Sequence, residues 1–580
     1  MRFTPLFNYP AVVRYATIVV LLAALSATGA FAQTGYVGIF GGGPMYINAA
    51  NNIRELQNSG FTEVIVWSVE VKSNGDLNLN GEFPLTSNGV YIGGQLHPDF
   101  AANMAALKQG NVKRITLSIG SSNVGDWQDI VALINSQGTG PGSILYQDFQ
   151  ALKTAIPALD AIDFDDENSY DESSTVQFAV MLGKLGYHVL PDAYTNSSYW
   201  TSLVSEINSQ LPGTVDGVHL QVYAGGAGNN PCASSWNFGA VPVYPGLWDH
   251  VVTPKSAQTR MKDWHSQCGI DGGFMWLYDD FVGNGEALKY AQALSVGAGY
   301  SGFALSGSAT VFLNQNSTAK DTIKVTDLGG FKGSLSLGLS ALPDGVTATV
   351  GQSGNNQTVT FKVTPTAGTG FATMVATGTS GAITSNFTFT LAISAGKGTK
   401  GSGQEVDLSS AFNVFGIYTD GTTYSTGGLD GSGNSYSTKL LTKTRVLNQV
   451  RFKFGTANQP DAVSGHGQLV SSPAGKFSSL ILLATGVQGN QTSQAITVNY
   501  SDGSSAQFTQ SFSDWSTPQN FEGEMEAVAM SYRDAADGSK TEGLFNLYGY
   551  SFALNSGKTV QSVILPNDPN VVILAATLVQ

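Results

Sequence analysis

Cysteine and charged residues are both scarce in this chain of 580 residues. The only cysteines are Cys232 and Cys268, and no Cys-x-x-Cys pair or Cys/His cluster occurs, which argues against a structural zinc site. Charged residues make up 12% of the chain, and 42 acidic residues outnumber 28 basic ones. This balance argues against nucleic acid as a partner. No apolar run after residue 32 is long enough to span a membrane.

Residues 1–32 have the pattern of a secretory signal peptide. Arg2 and Arg14 precede an apolar run over 16–25, and Ala30-Phe31-Ala32 supplies a small-x-small cleavage site. An uncleaved anchor is the alternative. The pattern predicts a mature chain outside the cell or at its surface, without a membrane span and as a monomer. In an oxidising compartment the two cysteines are expected to form a disulfide, with two buried thiols as the alternative.

Residues 33–298 alternate strand-like and helix-like segments. Apolar runs such as 64–71 and 114–119 favour strands, and amphipathic stretches such as 175–185 favour helices. Eight β/α units in about 265 residues match the size of a (β/α)8 TIM barrel, whose active site lies at the C-terminal ends of the strands.

The remaining chain favours β structure throughout. Residues 299–395 contain about seven short alternating segments, which predict an immunoglobulin-like sandwich. A Gly/Lys/Ser-rich linker is expected over 396–404. Residues 405–580 are rich in aromatics and predict a jelly-roll-like sandwich, a candidate carbohydrate-binding module. The fold class is therefore multidomain, a barrel followed by two all-β sandwiches.

Three rings of the last domain are candidates for stacking on sugars, with burial in the core as the alternative: Trp515, Tyr418 and Tyr548.

The run Asp-Ala-Ile-Asp-Phe-Asp-Asp-Glu over residues 160–167 is the main functional signal. Successive side chains of a strand alternate faces, so Asp163, Asp165 and Glu167 would share one face. Inward carboxylates lose hydration and repel one another, so the arrangement is costly unless chemistry requires it. A solvated acidic loop and a calcium site are the alternatives. The glycine and the distal glutamate of an EF-hand are missing, and the intervening Ile and Phe do not suit an exposed loop.

This spacing, Asp-x-x-Asp-x-Asp-x-Glu, resembles the signature of glycoside hydrolase family 18. The resemblance covers about residues 35–298 and places the acids at the end of the fourth barrel strand. It implies a glycosidase acting on N-acetylglucosamine-containing polysaccharides or glycans. Such enzymes are substrate-assisted, so no second carboxylate acts as nucleophile, and neither metal nor organic cofactor is implied.

Three further stretches resemble the same family. Ser118-Ile119-Gly120-Ser121 is similar to its Ser-x-Gly-Gly, with Ser121 in place of the last Gly. Gln221-Val222-Tyr223 is similar to the Gln-x-Tyr strand of plant-type chitinases. Trp276 matches the Trp that forms the floor of the subsite for the cleaved sugar, with core packing as the alternative.

The resemblance implies roles for individual residues. Glu167 would be the general acid, and Asp165 would orient the acetamide group of the sugar while sharing a proton with Asp163. Tyr223 would bind the acetamide carbonyl. Replacing Asp166 by Asn is expected to be mild. The substrate-binding candidates are Gln221, Trp276, Asp160, Asp192 and Tyr194.

Two cues point to different substrates. Asp166 before Glu167 resembles the bacterial endo-β-N-acetylglucosaminidases of this family, which release N-glycans, whereas Gln221 and Tyr223 resemble chitinases. Chitin is the first expectation and N-glycans the second. A non-catalytic carbohydrate-binding or adhesion protein on the same scaffold is a third, which the retention of Glu167 disfavours.

Overall fold

A computed structural model describes residues 35–580, so the predicted signal peptide lies outside the described residues. Within the described part of the chain, no helix combines the length and the apolar character needed to cross a membrane.

Eight parallel strands close into a barrel, which confirms the predicted fold of the first domain. Each strand pairs with the next one along the chain, and the first strand pairs with both the second and the last. The strands are β1 (Tyr36–Gly41), β2 (Glu63–Val71), β3 (Arg114–Gly120), β4 (Ala161–Asp165), β5 (His188–Ala193), β6 (Val218–Gln221), β7 (Val243–Trp248) and β8 (Gly272–Trp276).

Helices surround the barrel and bury its outward-facing side chains. Phe164 of β4, for example, packs on Phe178, with ring centroids 5.5 Å apart. Ser143 and Asp171 cap two of these helices by accepting hydrogen bonds from backbone N–H groups of the first turn. The helices are α1 (Ala49–Ser59), α2 (Phe100–Leu107), α3 (Asp126–Gln137), α4 (Ile144–Ala155), α5 (Glu172–Lys184), α6 (Ser197–Gln210), α7 (Pro254–Cys268) and α8 (Glu286–Gly297).

Two connections depart from the simple β/α repeat. Four short strands follow β2: Leu77–Leu79, Phe83–Pro84, Thr86–Ser87 and Val90–Tyr91. The connection from β6 to β7 holds only two 3-10 turns, and a disulfide from Cys232 to Cys268 ties it to the end of α7.

The second domain is a sandwich of two four-stranded sheets, as predicted. Its core is formed by alternating apolar residues of both sheets, such as Phe361 and Phe389. The strands are β9 (Gly302–Ser306), β10 (Thr310–Asn314), β11 (Ser317–Leu328), β12 (Ser336–Leu339), β13 (Val346–Ser353), β14 (Asn356–Val363), β15 (Gly370–Ser380) and β16 (Ile383–Ser394).

The third domain stacks an eight-stranded sheet on a four-stranded one, with a further three-stranded sheet beside them. Its one α-helix among the described residues is Thr438–Leu441. The strands are Gly396–Lys397, Gln404–Glu405, Ile417–Tyr418, Asn434–Ser437, Thr444–Leu447, Val450–Lys453, Val463–Ser464, Leu469–Lys476, Ser479–Gly486, Gln491–Tyr500, Ser505–Phe512, Glu524–Ala535, Lys540–Ala553, Thr559–Ile564 and Val571–Val579.

Two expectations for this region need correction. The predicted linker 396–404 is joined to sheets at both ends, because Gly396 pairs with Val446 and Gln404 pairs with Leu578. The three rings proposed for sugar stacking are core residues instead, with exposed fractions of only 3%, 3% and 1% for Trp515, Tyr418 and Tyr548. Their large apolar surface stabilises the sandwich and is not available to a ligand.

Two asparagine side chains join the barrel to the second domain. Asn58 Nδ2 donates to the Thr388 carbonyl at 2.8 Å, and the Thr388 N–H donates back to Asn58 Oδ1 at 2.7 Å. Asn111 forms the same paired contact with the backbone of Asn386, at 3.0 and 2.9 Å. The part of β16 that extends beyond its pairing with β10 is thus bonded by side-chain amides, as it would be by a neighbouring strand.

We predict that the double variant Asn58→Ala/Asn111→Ala uncouples these two domains. Four hydrogen bonds across the junction are lost, and unsatisfied backbone groups cost about 1–3 kcal/mol each if they stay buried. Calorimetry should show the barrel and the sandwich unfolding at separate temperatures. The exposed Asn135 of α3 offers the control, Asn135→Ala. Unchanged melting of the double variant would contradict the coupling.

Candidate active site

Strand β4 turns two carboxylates into the barrel, as the alternation predicts. Asp163 and Asp165 are 0% and 4% exposed, while Ile162 and Phe164, which alternate with them, face the helices. The parallel register places Asp163 beside Ser118 of β3. Neighbouring strands therefore determine which polar groups meet each acid.

Asp163 accepts two hydrogen bonds from buried side chains. Ser118 Oγ lies 2.7 Å from Asp163 Oδ2, and His219 Nδ1 lies 2.6 Å from Asp163 Oδ1. On its other side His219 Nε2 lies 2.6 Å from the hydroxyl of Tyr36. A continuous polar chain therefore leads from Asp163 down the barrel axis.

Gln221 links the acidic strand to the next one. Its Nε2 donates to Asp165 Oδ1 at 3.1 Å and to Asp192 Oδ2 at 3.3 Å. Asp192 Oδ1 has no hydrogen-bond partner among residues 35–580 and is buried. A buried carboxylate with so few donors favours its neutral form.

Burial dominates the electrostatics of these acids. Desolvation, followed by the charges of Glu167 and Asp163, raises the pKa of Asp165 well above its usual range. Desolvation and the same group of acids raise the pKa of Asp192. Clustered carboxylates in a low dielectric cannot all be ionised together, so at least one proton is retained.

Glu167 lies just beyond the strand end and is half-buried. Burial raises its pKa, and hydrogen bonds from Gln221, Asp165 and Ser122 oppose the rise. A carboxyl group that keeps its proton toward neutral pH is suited to general acid catalysis.

A cavity of about 210 Å³ opens at the C-terminal ends of the barrel strands. Tyr223 and Trp276 stack along it with ring centroids 6.0 Å apart. The Trp248 indole N–H is buried and has no acceptor within the described residues. The lining residues are Ser121, Ser122, Asp165, Glu167, Tyr194, Gln221, Tyr223, Ala224, Trp248 and Trp276.

Gly120 makes room for this arrangement. Its φ of +99° lies in the left-handed region, and a Cβ there would stand 2.3 Å from the Asp165 carbonyl oxygen. The glycine of the Ser-x-Gly motif is therefore required by the close approach of β3 to β4.

Asp160 is a correction to the predicted site. It precedes β4, at the N-terminal end of the strand, and its carboxylate binds Lys108 Nζ at 2.6 Å and the Ile115 N–H at 2.9 Å. The cavity lies at the opposite end of the strands, so Asp160 stabilises the barrel and does not contact a ligand there.

Asp166 is also structural, and the expectation of a mild Asn substitution no longer holds. Its fully buried carboxylate accepts hydrogen bonds from the backbone N–H groups of Asn168, Ser169 and Tyr170 at 2.8–3.1 Å. An amide at this position would replace one acceptor by a donor and weaken the turn that carries Glu167.

Sequence reasoning assigned no role to His219, Tyr36 or Trp248. His219 shares a strand face with Gln221 and Tyr223, so alternation alone could have indicated it. Trp248 ends β7, where the C-terminal position was the available signal. Tyr36 begins β1, and its contact with His219 across the barrel had no local signal.

Comparisons with known proteins bear on the third domain and on the barrel. Residues 402–580 match a family model described as an AziU2-like beta-sandwich domain. A comparison with curated proteins found no match. Among solved structures, the chain is similar to an endo-β-1,4-mannanase from Thermotoga petrophila, with 12% identity, a TM-score of 0.28, and coverage of 62% of this chain and 98% of that one.

It is also similar to an endo-fucoidan hydrolase from glycoside hydrolase family 107, with 12% identity, a TM-score of 0.31, and coverage of 93% and 97%. TM-scores below 0.5 are too low to transfer function, so the residues of the cavity must carry the functional argument.

One group near the cavity has the composition of a metal site. Ligand atoms of Asp249, His250 and Asp280 lie within 4.8 Å of one another. His250 and Asp280 are exposed, and His250 Nε2 lies 3.3 Å from Asp280 Oδ2. The group therefore lies at the surface, and only Asp249 of the three is partly buried.

We predict that Asp192→Asn stabilises the protein at neutral pH. The folded-state pKa of Asp192 is raised, so the folded state holds a proton that the unfolded state releases above about pH 4. The free energy of unfolding of wild type therefore falls as pH rises above about 4. The amide of Asp192→Asn does not titrate, so the variant does not lose this stability. Urea midpoints should agree near pH 4, and the variant should exceed wild type increasingly toward pH 8. The exposed Asp263 supplies the control, Asp263→Asn; a variant less stable at pH 8 would refute the assignment.

Proposed function

We propose that this protein is a secreted, retaining glycoside hydrolase that cleaves β-1,4 linkages at N-acetylglucosamine by substrate-assisted catalysis. The observation that carries the proposal is the meeting of Asp165, Glu167, Gln221, Tyr223 and Trp276 around one cavity. The proposal extends the family 18 resemblance from spacing in the sequence to proximity in space.

Glu167 is the general acid in this scheme. Its half-buried carboxyl reaches the cavity and holds its proton above the usual pH range, so it can protonate the glycosidic oxygen. The 2-acetamido oxygen of the sugar then attacks the anomeric carbon, and the aglycone leaves as an alcohol. Water attacks the resulting oxazolinium ion, with Glu167 now acting as base, and the configuration is retained.

Asp165 and Tyr223 serve the acetamide group. Asp165 accepts a hydrogen bond from its N–H, which orients the group and stabilises the positive charge that develops on the oxazolinium ring. Burial raises the pKa of Tyr223, so its phenol stays protonated and can donate to the acetamide oxygen. Trp276 offers an aromatic face to the sugar ring, a contact that favours the apolar side of a pyranose.

The dimensions of the cavity suit a single sugar. Its volume of about 210 Å³ falls below the range of about 300–1,000 Å³ typical for drug-sized ligands. A glycosidase subsite holds one pyranose ring while the rest of the polysaccharide leaves through the mouth of the cavity. The cavity has the size for this.

Chitin is favoured over N-glycans as the substrate. The N-glycan cue was Asp166, and this residue is buried in backbone hydrogen bonds away from the lining of the cavity. The chitinase cue, Gln221 and Tyr223, consists of residues that do line it. Asp166 therefore stabilises the loop and does not select the substrate. We base the choice of substrate on the residues that line the cavity.

We predict that Glu167→Gln lowers turnover by about two to four decades, the usual worth of general acid catalysis. Asp165→Asn should be nearly as damaging because an amide cannot share a proton with Asp163 and Glu167 while it orients the acetamide N–H. Both are assayed in the full chain on chitin oligomers and on a high-mannose glycoprotein, with the anomeric product followed by NMR. Glu206→Gln, at an exposed position of α6, is the matched control.

A Glu167→Gln loss smaller than tenfold would remove Glu167 from the acid role. Sugar binding without turnover by wild type would favour the carbohydrate-binding or adhesion alternative, and cleavage of the glycoprotein alone would favour N-glycans.

A further inference from the structure

The barrel interior below the cavity holds a buried polar chain that the proposed reaction does not use. Its members are Ser118, Asp163, His219 and Tyr36, and the last three are joined by contacts of 2.6 Å. Asp163 and His219 are both 0% exposed. The Phe40 and Phe274 rings pack around His219 at 6.0 and 5.0 Å, so water does not reach it.

The direction of these hydrogen bonds follows from donor and acceptor chemistry. The Tyr36 phenol is buried, which raises its pKa well above the usual range and keeps its proton in place. Two acceptors lie near this hydroxyl, Glu63 and His219 Nε2, and the contact of normal hydrogen-bond length, 2.6 Å, is the one to His219 Nε2. A phenol that donates to Nε2 leaves the imidazole proton on Nδ1, and Nδ1 faces Asp163 Oδ1.

We propose that His219 is a positioning residue that acts through Asp163. Its Nδ1–H, directed by the Tyr36 hydroxyl on Nε2, keeps Asp163 ionised and so leaves the shared proton of the acidic pair on Asp165. Ser118 donates to the second oxygen of Asp163. One donor on each oxygen of Asp163 favours its charged form, so the shared proton stays on Asp165, the carboxyl able to donate to Glu167.

The neighbouring charges agree with this assignment. The titratable groups facing Asp163 and His219 from the surrounding strands are Asp165, Asp192, Tyr223, Tyr36, and, beyond Tyr36, Glu63 and Tyr244. The nearest cationic side chain below them, Arg114, is paired with Asp216. The N–H of His219 is thus the donor that offsets the buried charge of Asp163 from below.

The first test reads the tautomer directly and does not depend on enzymatic activity. The chain has six histidines, so a full-length sample labelled with 15N-histidine gives few ring signals, and the one lost in His219→Asn is that of His219. At pH 7 we expect a protonated Nδ1 and an unprotonated Nε2. Tyr36→Phe should release the preference and give mixed tautomers. A protonated Nε2 in wild type, as the other tautomer or as imidazolium, would overturn the proposal.

The second test concerns the effect on turnover, and for this it rests on the proposed function. His219→Leu removes the donor, so Asp163 binds a proton more readily and the acid limb of kcat/KM should move up by about one to two pH units. The rate should fall by about 10–100-fold. In His219→Asn the amide NH2 group takes the place of the Nδ1–H donor. The acid limb of kcat/KM should then return to its wild-type position, and most of the rate should be recovered.

If His219→Leu and His219→Asn lose the same amount of activity and the acid limb of kcat/KM does not move, His219 has only a packing role and the proposal is wrong. His466→Gln, an exposed histidine of the third domain, is the control for both tests. If wild type cleaves none of the substrates, the proposed function fails, while the tautomer measurement still decides the role of His219. If His219→Leu does not fold, the tautomers of wild type and Tyr36→Phe decide alone.

Discussion

The confinement of two carboxylates within one buried strand is the constraint on which the rest of the site depends. Asp163 and Asp165 project into the barrel interior, where an isolated charge is strongly disfavoured. Each carboxyl group must therefore be either neutral or hydrogen-bonded to donors. The neighbouring strands supply more donors to one of the two acids than to the other. β3 and β6 supply donors to Asp163, whereas Asp165 has one donor, Gln221, and its pKa is raised. The asymmetry of the pair is therefore a property of the barrel and not of β4 alone.

Such an interior would be unstable without apolar burial elsewhere. The helices and the outward faces of the strands form one large core, and the upper interior adds a smaller cluster of Phe40, Ile65, Tyr223 and Phe274. These rings are apolar walls around the polar chain, and they lower the local dielectric that shifts the acids. The packing that stabilises the barrel thus also sets the protonation of its site.

The sequence predicted those features that depend on local periodicity. Alternation placed Asp163 and Asp165 on the inner face because the direction of side chains along a strand is fixed by the backbone. Asp160 fails the same reasoning for a clear reason: it precedes the strand, and the spacing of a motif does not tell where pairing begins.

Contacts between distant segments could not be predicted in this way. The pairing of Tyr36 with His219 spans 183 positions and depends on closure of the barrel. The burial of Trp515 depends on which sheet face meets the core, and period-2 patterns do not distinguish an aromatic stacked on sugar from one packed inside.

The second domain and the cavity lie at opposite ends of the barrel. Asn58 lies in the last turn of α1 and Asn111 precedes β3, so both lie near the starts of strands, and the sandwich binds this N-terminal end of the barrel. The cavity lies where strands end. Buried Arg445 of the third domain then bonds Asn314 at the end of β10 and the carbonyl of Ala395, which fixes the next junction. Because side chains bind the backbone of β16 at the junction with the barrel, the second domain is held at the end of the barrel opposite the cavity.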